Sequence, residues 1–166
     1  MRRIACVAAA FGTVALVASS AHATVANTVT GGGTVIVASG TQTVLASFGL
    51  DGRVPSAGSS ETVGRITYDE VNGLHVDVPV TSMTALTSPT PGPNGTGGTA
   101  TLVGDCSAAG ATCPSGVSSV RVDVEDNADS GAGTDVFQIS FCSDHVGTIC
   151  APPKGGPLRS GDIQVQ

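Results

Sequence analysis

The sequence predicts an all-β protein: a single-domain antiparallel β-sandwich or barrel of eight to nine short strands. Three observations support this prediction. Apolar and polar residues alternate with a period of two along most of the chain, which is typical of strands with one buried face. Gly, Pro, Asn and Asp interrupt the alternation at short intervals, as they do in turns. Beyond the first two dozen residues, no segment shows a convincing helical period.

The N-terminus has the layout of a secretory signal peptide. Two arginines follow Met1, an apolar run covers residues 4–17, and small residues end in an A-x-A pattern at Ala23. The apolar run is short for a transmembrane anchor and has no stop-transfer flank. We therefore expect cleavage after Ala23, which removes residues 1–23 and leaves residues 24–166 as the secreted domain.

The predicted strands follow one another through the secreted domain. Asn72-Gly73 is the strongest hairpin signal along the chain. Pro79 has no N–H for a ladder, so it marks a strand end, a bulge or an edge. Composition predicts loops at residues 88–98 and 152–156. The strands are predicted at residues 34–37, 43–50, 63–68, 74–80, 82–86, 99–103, 117–124, 136–142 and 162–166. Alternation places inward the side chains of Val76, Val78, Val80, Val120, Val122, Val124, Phe137, Ile139 and Phe141.

Four cysteines remain after cleavage, and an even number in an exported chain indicates disulfides. The favoured pairing is local, Cys106–Cys113 and Cys142–Cys150, because each pair brackets a short turn-rich loop. The alternative pairing joins one loop to the other. A zinc site is disfavoured because the chain has no C-x-x-C pair and its histidines have no ligand spacing.

Composition excludes several functional classes. The chain has 166 residues, so it suits one domain plus the processed segment, and its 40% apolar content is too high for a disordered tail. The secreted domain has five basic residues against 13 acidic ones, a formal charge of -8, which argues against a nucleic-acid binder. No apolar run after residue 23 is long enough for a transmembrane helix.

The densest group of chemically active residues surrounds the hairpin after the seventh predicted strand. These residues are Asp123, Glu125, Asp126, Asp129 and Asp135. Several carboxylates near strand ends suit calcium, so they are candidate calcium ligands and the only cofactor prediction. The EF-hand register fails, because Ala128 and Thr134 occupy the positions that require Gly and Glu. The alternatives are a solvated turn, or Asp126 and Asp135 accepting backbone N–H bonds that close the hairpin.

No catalytic residue is predicted. The chain contains no G-x-S-x-G motif, His75 is expected on the outward face of a strand, and His145 lies within a cysteine loop. The absence of Trp also weakens a sugar-binding platform. A secreted hydrolase that uses an unrecognised pair of carboxylates is the alternative function.

Read in order, short stretches across nearly the whole secreted domain carry a family likeness. They lie at residues 31–35, 46–50, 64–68, 76–80, 84–86, 99–104, 120–127, 131–139 and 160–165. Together they resemble the post-COAP-like domain, an uncharacterised family of secreted bacterial all-β modules. The resemblance implies an exported β-domain without established catalytic residues. We therefore expect an extracellular binding or structural module, whose partner is an envelope polysaccharide or an extracellular protein.

Overall fold

A computed structural model describes residues 24–25, 27–55, 61–87, 97–127 and 134–166, which form nine strands. The strands are β1 (Thr24–Val25), β2 (Thr28–Ser39), β3 (Gln42–Arg53), β4 (Val63–Glu70), β5 (His75–Thr87), β6 (Gly98–Asp105), β7 (Ser119–Asp126), β8 (Val136–Cys142) and β9 (Lys154–Val165). Within these ranges there is no helix, and hence none that could span a membrane. The predicted signal peptide, residues 1–23, lies outside the described residues.

Strands β2 to β9 form one closed antiparallel barrel of eight strands. Each strand pairs with the next along the chain, and β9 returns to pair with β2. The short β1 adds two residues to the end of β5. The prediction of an all-β fold is confirmed, and of its two architectures the barrel is the one observed. An up-and-down barrel of this kind leaves no open edge where every strand is paired.

Glycines allow the barrel to close. The run Gly31–Gly33 belongs to β2, although the sequence predicts that strand only from residue 34. A Cβ on Gly33 would lie 2.1 Å from the carbonyl oxygen of Ser160, and one on Gly31 would lie 2.8 Å from that of Asp162. Any larger residue would therefore push β2 and β9 apart at the position where the sheet closes on itself.

Side chains fill the barrel interior. The residues predicted to point inward from β5 and β7 are at most 4% exposed, as are Phe137 and Ile139 of β8. The rings of Phe48 and Phe137 stack with centroids 4.1 Å apart, and Tyr68 packs beside Phe137 at 6.1 Å. Phe141 is only half-buried and meets Tyr68 edge-on. Eight strands make a barrel that side chains can fill in this way.

Two strands, β5 and β9, continue through segments where the sequence predicts an interruption or a loop. β5 continues through Pro79, and its register with β6 shifts between Val80 and Ser82. A bulge near the proline is thus the observed outcome among the three predicted. β9 begins at Lys154 because Gly155, Gly156 and Pro157 pair with β8, where composition predicts a loop. Strand pairing overrides local propensity at these positions.

Candidate functional site

The two ends of the barrel carry different groups of residues. Because successive strands alternate in direction, the strand ends joined by the β2–β3, β4–β5, β6–β7 and β8–β9 connections lie together. Both disulfides belong to these connections, and we call this the disulfide end. The starts of β2, β4, β6 and β8 lie at the other end with the end of β9, and we call it the terminal end.

The predicted calcium ligands are divided by the sheet. Asp123 and Glu125 lie on the outer surface of β7, whereas Asp126 is 8% exposed and Asp135 is fully buried. Neighbouring residues of a strand face opposite sides, which separates Glu125 from Asp126. Asp129 lies outside the described residues. The four described carboxylates therefore do not face one common site.

The two inner aspartates bind the backbone of β9. Asp135 accepts hydrogen bonds from the N–H of Ile163 at 2.8 Å and of Asn127 at 3.1 Å. Asp126 accepts one from the N–H of Val165 at 3.0 Å. The bond to Asn127 closes the hairpin, as the structural alternative predicts. β8 pairs with only the first four residues of β9, so at Ile163 and Val165 the carboxylates accept the N–H bonds that a strand partner would otherwise accept.

The electrostatics of these aspartates follow from their position. Burial raises the pKa of Asp135 above its ordinary value, against the effect of its two backbone hydrogen bonds. The neighbouring charges of Asp126 and Asp162 act in the same direction as burial. On the outer face, Asp123 is already bound by the guanidinium of Arg121 at 2.9 Å. Since calcium needs several available oxygens around one point, the described residues do not fit a single calcium site.

A shallow depression of about 280 Å³ lies on the outer surface between β5 and β8. Its polar lining includes Thr84, Thr99, Thr101, Asp123, Glu125 and Gln138, with Leu86 and Val136 among its apolar residues. The hydroxyl of Thr101 donates to Asp123 at 2.6 Å, which orients both groups. No aromatic ring is among the described residues that line it. The depression therefore offers polar contacts and no stacking platform.

At the disulfide end, Glu70 is a carboxylate that the sequence did not single out. Its side chain is fully buried, and its Oε1 accepts hydrogen bonds from the Tyr68 hydroxyl at 2.9 Å and the Lys154 ammonium at 2.8 Å. Its Oε2 makes no hydrogen bond within the described part of the chain. Lys154 also lies 5.7 Å from the ring centroid of Phe141.

The protonation of this group follows from its contacts. Burial alone would raise the pKa of Glu70, but the hydrogen bonds from Lys154 and Tyr68 outweigh it and lower the pKa below its ordinary value. Burial, followed by the hydrogen bond to Glu70, raises the pKa of Tyr68. At neutral pH Glu70 therefore forms an ion pair with Lys154, and Tyr68 keeps its proton. Its carboxylate is enclosed, so it cannot meet a substrate as a general acid or base must.

The disulfides are the two local pairs, Cys106–Cys113 and Cys142–Cys150. In the first loop, Thr112 exchanges two backbone hydrogen bonds with Asp77, at 2.7 and 2.9 Å. The guanidinium of Arg65 contacts the Asp77 carboxylate and donates to the carbonyl of Gly110 at 3.1 Å. This loop therefore continues the sheet beside β5, beyond the end of β6.

The second loop is organised by Asp144. Its carboxylate accepts hydrogen bonds from the hydroxyl of Thr148 and from the N–H groups of Thr148 and Ile149, which lowers the pKa of Asp144 to about 2. The sulfurs of Cys142 and Cys150 lie near this carboxylate. In the disulfide they are not thiolates and cannot serve as metal ligands of the usual kind.

The two histidines beyond residue 23, His75 and His145, are exposed and paired with aspartates. His75 lies outward on β5, as alternation predicts, and contacts Asp69 across the ladder. His145 contacts Asp105 at 3.1 Å. Each pair stands on the surface, and the described hydrogen bonds join neither histidine to a serine, threonine or cysteine, so neither forms a recognisable catalytic group.

The sequence contained a signal for Glu70 but not for its partner. Ile66, Tyr68 and Glu70 alternate along β4, so a carboxylate falls on the buried face of that strand. Lys154 is 84 residues away and opens a segment whose prolines and glycines predict a loop. Only the long β9 brings the two together.

Comparison with known proteins adds no relative to this geometry. No protein-family model matches the chain, and neither the curated proteins nor the solved structures compared with it give a match. The post-COAP-like resemblance therefore stays a prediction.

Proposed function

We propose that this chain is a secreted, non-enzymatic β-barrel module that acts outside the cytoplasm as a binding or structural component. The filled interior carries the proposal. Eight-stranded barrels that carry a small ligand keep space inside for it. Here the inward side chains of Phe48, Tyr68, Leu102 and Phe137 occupy that space. A partner is left with the outer surface and the loops.

Two further features support an extracellular role. Two disulfides suit an oxidising compartment, where they persist without being reduced. Both fasten loops against the barrel instead of leaving them extended, which suits a domain that must last outside the cell. The predicted signal peptide agrees with this location.

The depression on β5 to β8 is the best candidate for the contact surface. Threonine hydroxyls and carboxylates there can form hydrogen bonds with the hydroxyls of an envelope polysaccharide or with the backbone of an extracellular protein. Asp123 is held in place by Arg121 and Thr101, so its geometry does not have to be organised when a partner binds.

Co-sedimentation of the secreted protein with insoluble envelope and polysaccharide fractions tests this proposal. We expect saturable binding, equal in calcium and in chelator because the described carboxylates do not assemble a calcium site. Thr99→Arg places a long side chain in the depression and should weaken binding at least tenfold, about 1.4 kcal/mol. Thr30→Arg makes the same change on the exposed face of β2, across the barrel, and should bind like the unaltered protein.

Three outcomes would narrow or contradict the proposal. Absence of binding to any fraction would remove the binding role and leave a purely structural one. Equal weakening by both arginine variants would show that the depression is not the contact surface. Turnover of a glycan or peptide panel that is lost on Asp123→Asn or Glu125→Gln would favour the secreted hydrolase.

A further inference from the structure

The Cys142–Cys150 loop brings a carboxylate to its two sulfurs. The Sγ atoms of Cys142 and Cys150 and a carboxylate oxygen of Asp144 all lie within 4.8 Å of one another. Within the described ranges, no other group of three cysteine, histidine or acidic ligand atoms is this compact. Two sulfurs and one oxygen are a donor set that zinc accepts once the sulfurs are thiolates.

Backbone pairing holds the two cysteines of this loop opposite each other in addition to the S–S bond. They form an antiparallel bridge with their Cα atoms 3.9 Å apart. On one side of the bridge, the N–H of Ser143 donates to the carbonyl of Ile149 at 2.9 Å. On the other side, the N–H of Ala151 donates to the carbonyl of Phe141 at 2.9 Å. When the disulfide is opened, these bonds keep the two thiols on facing positions.

The carboxylate of Asp144 is oriented by contacts that do not involve the sulfurs. Its oxygens accept hydrogen bonds from the hydroxyl and the N–H of Thr148 and from the N–H of Ile149. The backbone carbonyl of Asp144 accepts a further bond from the Ser119 hydroxyl at 2.6 Å, which ties the loop to β7. Carboxylates that ligate metals are themselves commonly held by hydrogen bonds, so this one is prepared for that role.

Solvent reaches the loop from one side. Cys142 is buried, whereas Asp144 and Cys150 are partly exposed. The neighbouring side chains of Val146 and Ile149 are 68% and 67% exposed, so they do not cover the site. A metal ion can therefore approach the three ligand atoms from outside. Three protein ligands leave the fourth position of a tetrahedral zinc ion to water.

The other disulfide provides an internal comparison. Cys106 and Cys113 lie at the same end of the barrel, with their Cα atoms 5.8 Å apart. No third ligand atom joins their sulfurs among the residues that the structure describes. The nearby carboxylate of Asp105 is bonded to Ser107 and His145 instead. Because zinc sites in proteins use at least three protein ligands, this pair does not complete one.

We propose that the Cys142–Cys150 loop becomes a zinc site on reduction, with Cys142, Cys150 and Asp144 as the ligands. A dithiol reductant transfers two electrons and two protons to the S–S bond, which breaks into two thiols while the reductant becomes a disulfide. Zinc then displaces both thiol protons and forms two Zn–S bonds and one Zn–O bond. A pair of thiolates selects zinc over calcium and magnesium, which prefer oxygen ligands.

Zinc binding and reduction of this loop are coupled. Zinc binds the dithiol form and not the disulfide, so it stabilises the reduced state, and reduction in turn creates the affinity for zinc. The Cys106–Cys113 bond gains nothing from the metal. The zinc site shares no residue with the depression on β5 to β8, so the proposal does not rest on the envelope contact.

Thiol trapping of the unaltered secreted protein tests the proposal. A phosphine reduces both disulfides without adding a thiol that competes for the metal, and brief alkylation with equimolar zinc or with chelator is followed by peptide mapping. Zinc should slow alkylation of Cys142 and Cys150 by about tenfold or more and leave Cys106 and Cys113 unaffected. Zinc should also raise the stability of the reduced protein to urea, and restore its strand circular dichroism if reduction has unfolded it.

Cobalt(II) in place of zinc identifies the ligands, because thiolate–cobalt bonds absorb in the near ultraviolet. The reduced double variant Cys106→Ser with Cys113→Ser keeps the site and should bind one cobalt ion per chain with this absorption. The matched double variant Cys142→Ser with Cys150→Ser keeps the other pair and should show none. Asp144→Asn should retain the absorption but weaken cobalt binding by about tenfold or more.

Three results would overturn the proposal. Equal alkylation of all four cysteines with zinc and with chelator would mean that the reduced loop does not bind the metal. Equal cobalt binding by the two double variants would mean that any pair of thiols in this chain suffices. Unchanged affinity in Asp144→Asn would remove the carboxylate from the ligand set.

Discussion

The two ends of the barrel are closed by different chemistry. At the disulfide end, two covalent bridges hold loops against β5 and β6, and beneath them Lys154 neutralises the buried Glu70. At the terminal end, Asp126 and Asp135 hold the last residues of β9 through backbone N–H groups. No described covalent link supports that end. The disulfide end is closed by bridges and an ion pair, and the terminal end by carboxylates together with the backbone pairing of Gln166 with Thr28.

The two ends show that carboxylates of one small barrel can have pKa values shifted in opposite directions. The carboxylates of Glu70 and Asp144 at the disulfide end have lowered pKa values, because their hydrogen bonds and, for Glu70, its cation favour the charged form. Asp135 at the terminal end has a raised pKa, because burial and neighbouring acidic residues disfavour its charge. Acid should therefore weaken one end and strengthen the other.

Removal of both disulfides should produce the largest effect. Each bridge closes a short loop, and the chain-entropy relation gives about 2.5 kcal/mol per bridge, so the four Cys→Ser substitutions together should lower the free energy of unfolding by about 5 kcal/mol. Urea unfolding measures this loss. Amide hydrogen exchange should show lost protection at Asp77 and Thr112, while Ile163 and Val165 stay protected.

The exchange pattern decides whether the two ends are separate units. Equal loss of protection at Ile163 and Val165 would mean that the barrel opens as one cooperative unit. The difference in chemistry between the ends would then have no counterpart in local stability.

Lys154→Met should have the next largest effect. It leaves the charge of Glu70 buried without its cation, and should lower the free energy of unfolding by about 3 kcal/mol at neutral pH. The double variant Glu70→Gln with Lys154→Met removes the buried charge as well, and should return to within about 1 kcal/mol of the unaltered protein. Urea unfolding of the three proteins measures both values.

A double variant that is as unstable as Lys154→Met alone would change the interpretation of the disulfide end. The stem of Lys154 and its contact with the Phe141 ring would then contribute the stability, and the ion pair would contribute little.

The sequence predicted much of the barrel because its strands report their own environment. Alternation in β5, β7 and β8 identified the buried faces, and the bounds predicted for β8 are those observed. Turn residues such as Asn72-Gly73 located the connections. The local disulfide pairing also follows from short spacing. These features depend on residues that are close in sequence, so a single sequence is enough to predict them.

The closing contacts were not predictable in this way. The pairing of Gly155 and Gly156 with β8 contradicts their composition and follows only from closure of the barrel. The bonds from Asp126 and Asp135 to β9 join residues 39 and 28 positions apart. The five acidic residues suggested calcium, because spacing along the chain does not show that alternation places Glu125 and Asp126 on opposite faces. Contacts between distant residues have no local signal.

The smallest expected effect, and the most specific one, is a change with pH in the stability difference between the unaltered protein and Asp135→Asn. The folded protein binds a proton at Asp135 before the unfolded chain does, because the folded pKa lies above the ordinary value of 3.8. The free energy of unfolding of the unaltered protein should therefore increase as pH falls through the raised pKa toward about 4. The increase is on the order of 1 kcal/mol for each unit by which folding raises the pKa. Asparagine binds no proton, so the stability advantage over Asp135→Asn should grow between pH 7 and pH 4, measured by urea unfolding.

Asp144→Asn is the matched control at the disulfide end, and its dependence should have the opposite sign. The folded pKa of Asp144 is about 2, so the unfolded chain binds the proton first, and the contribution of Asp144 is present above about pH 4 and lost as pH falls toward 2. The advantage of the unaltered protein over Asp144→Asn should therefore shrink between pH 4 and pH 2. If both variants changed in the same direction on acidification, the carboxylates of the two ends would be equivalent. The raised pKa of Asp135 would then not reflect its burial beside β9.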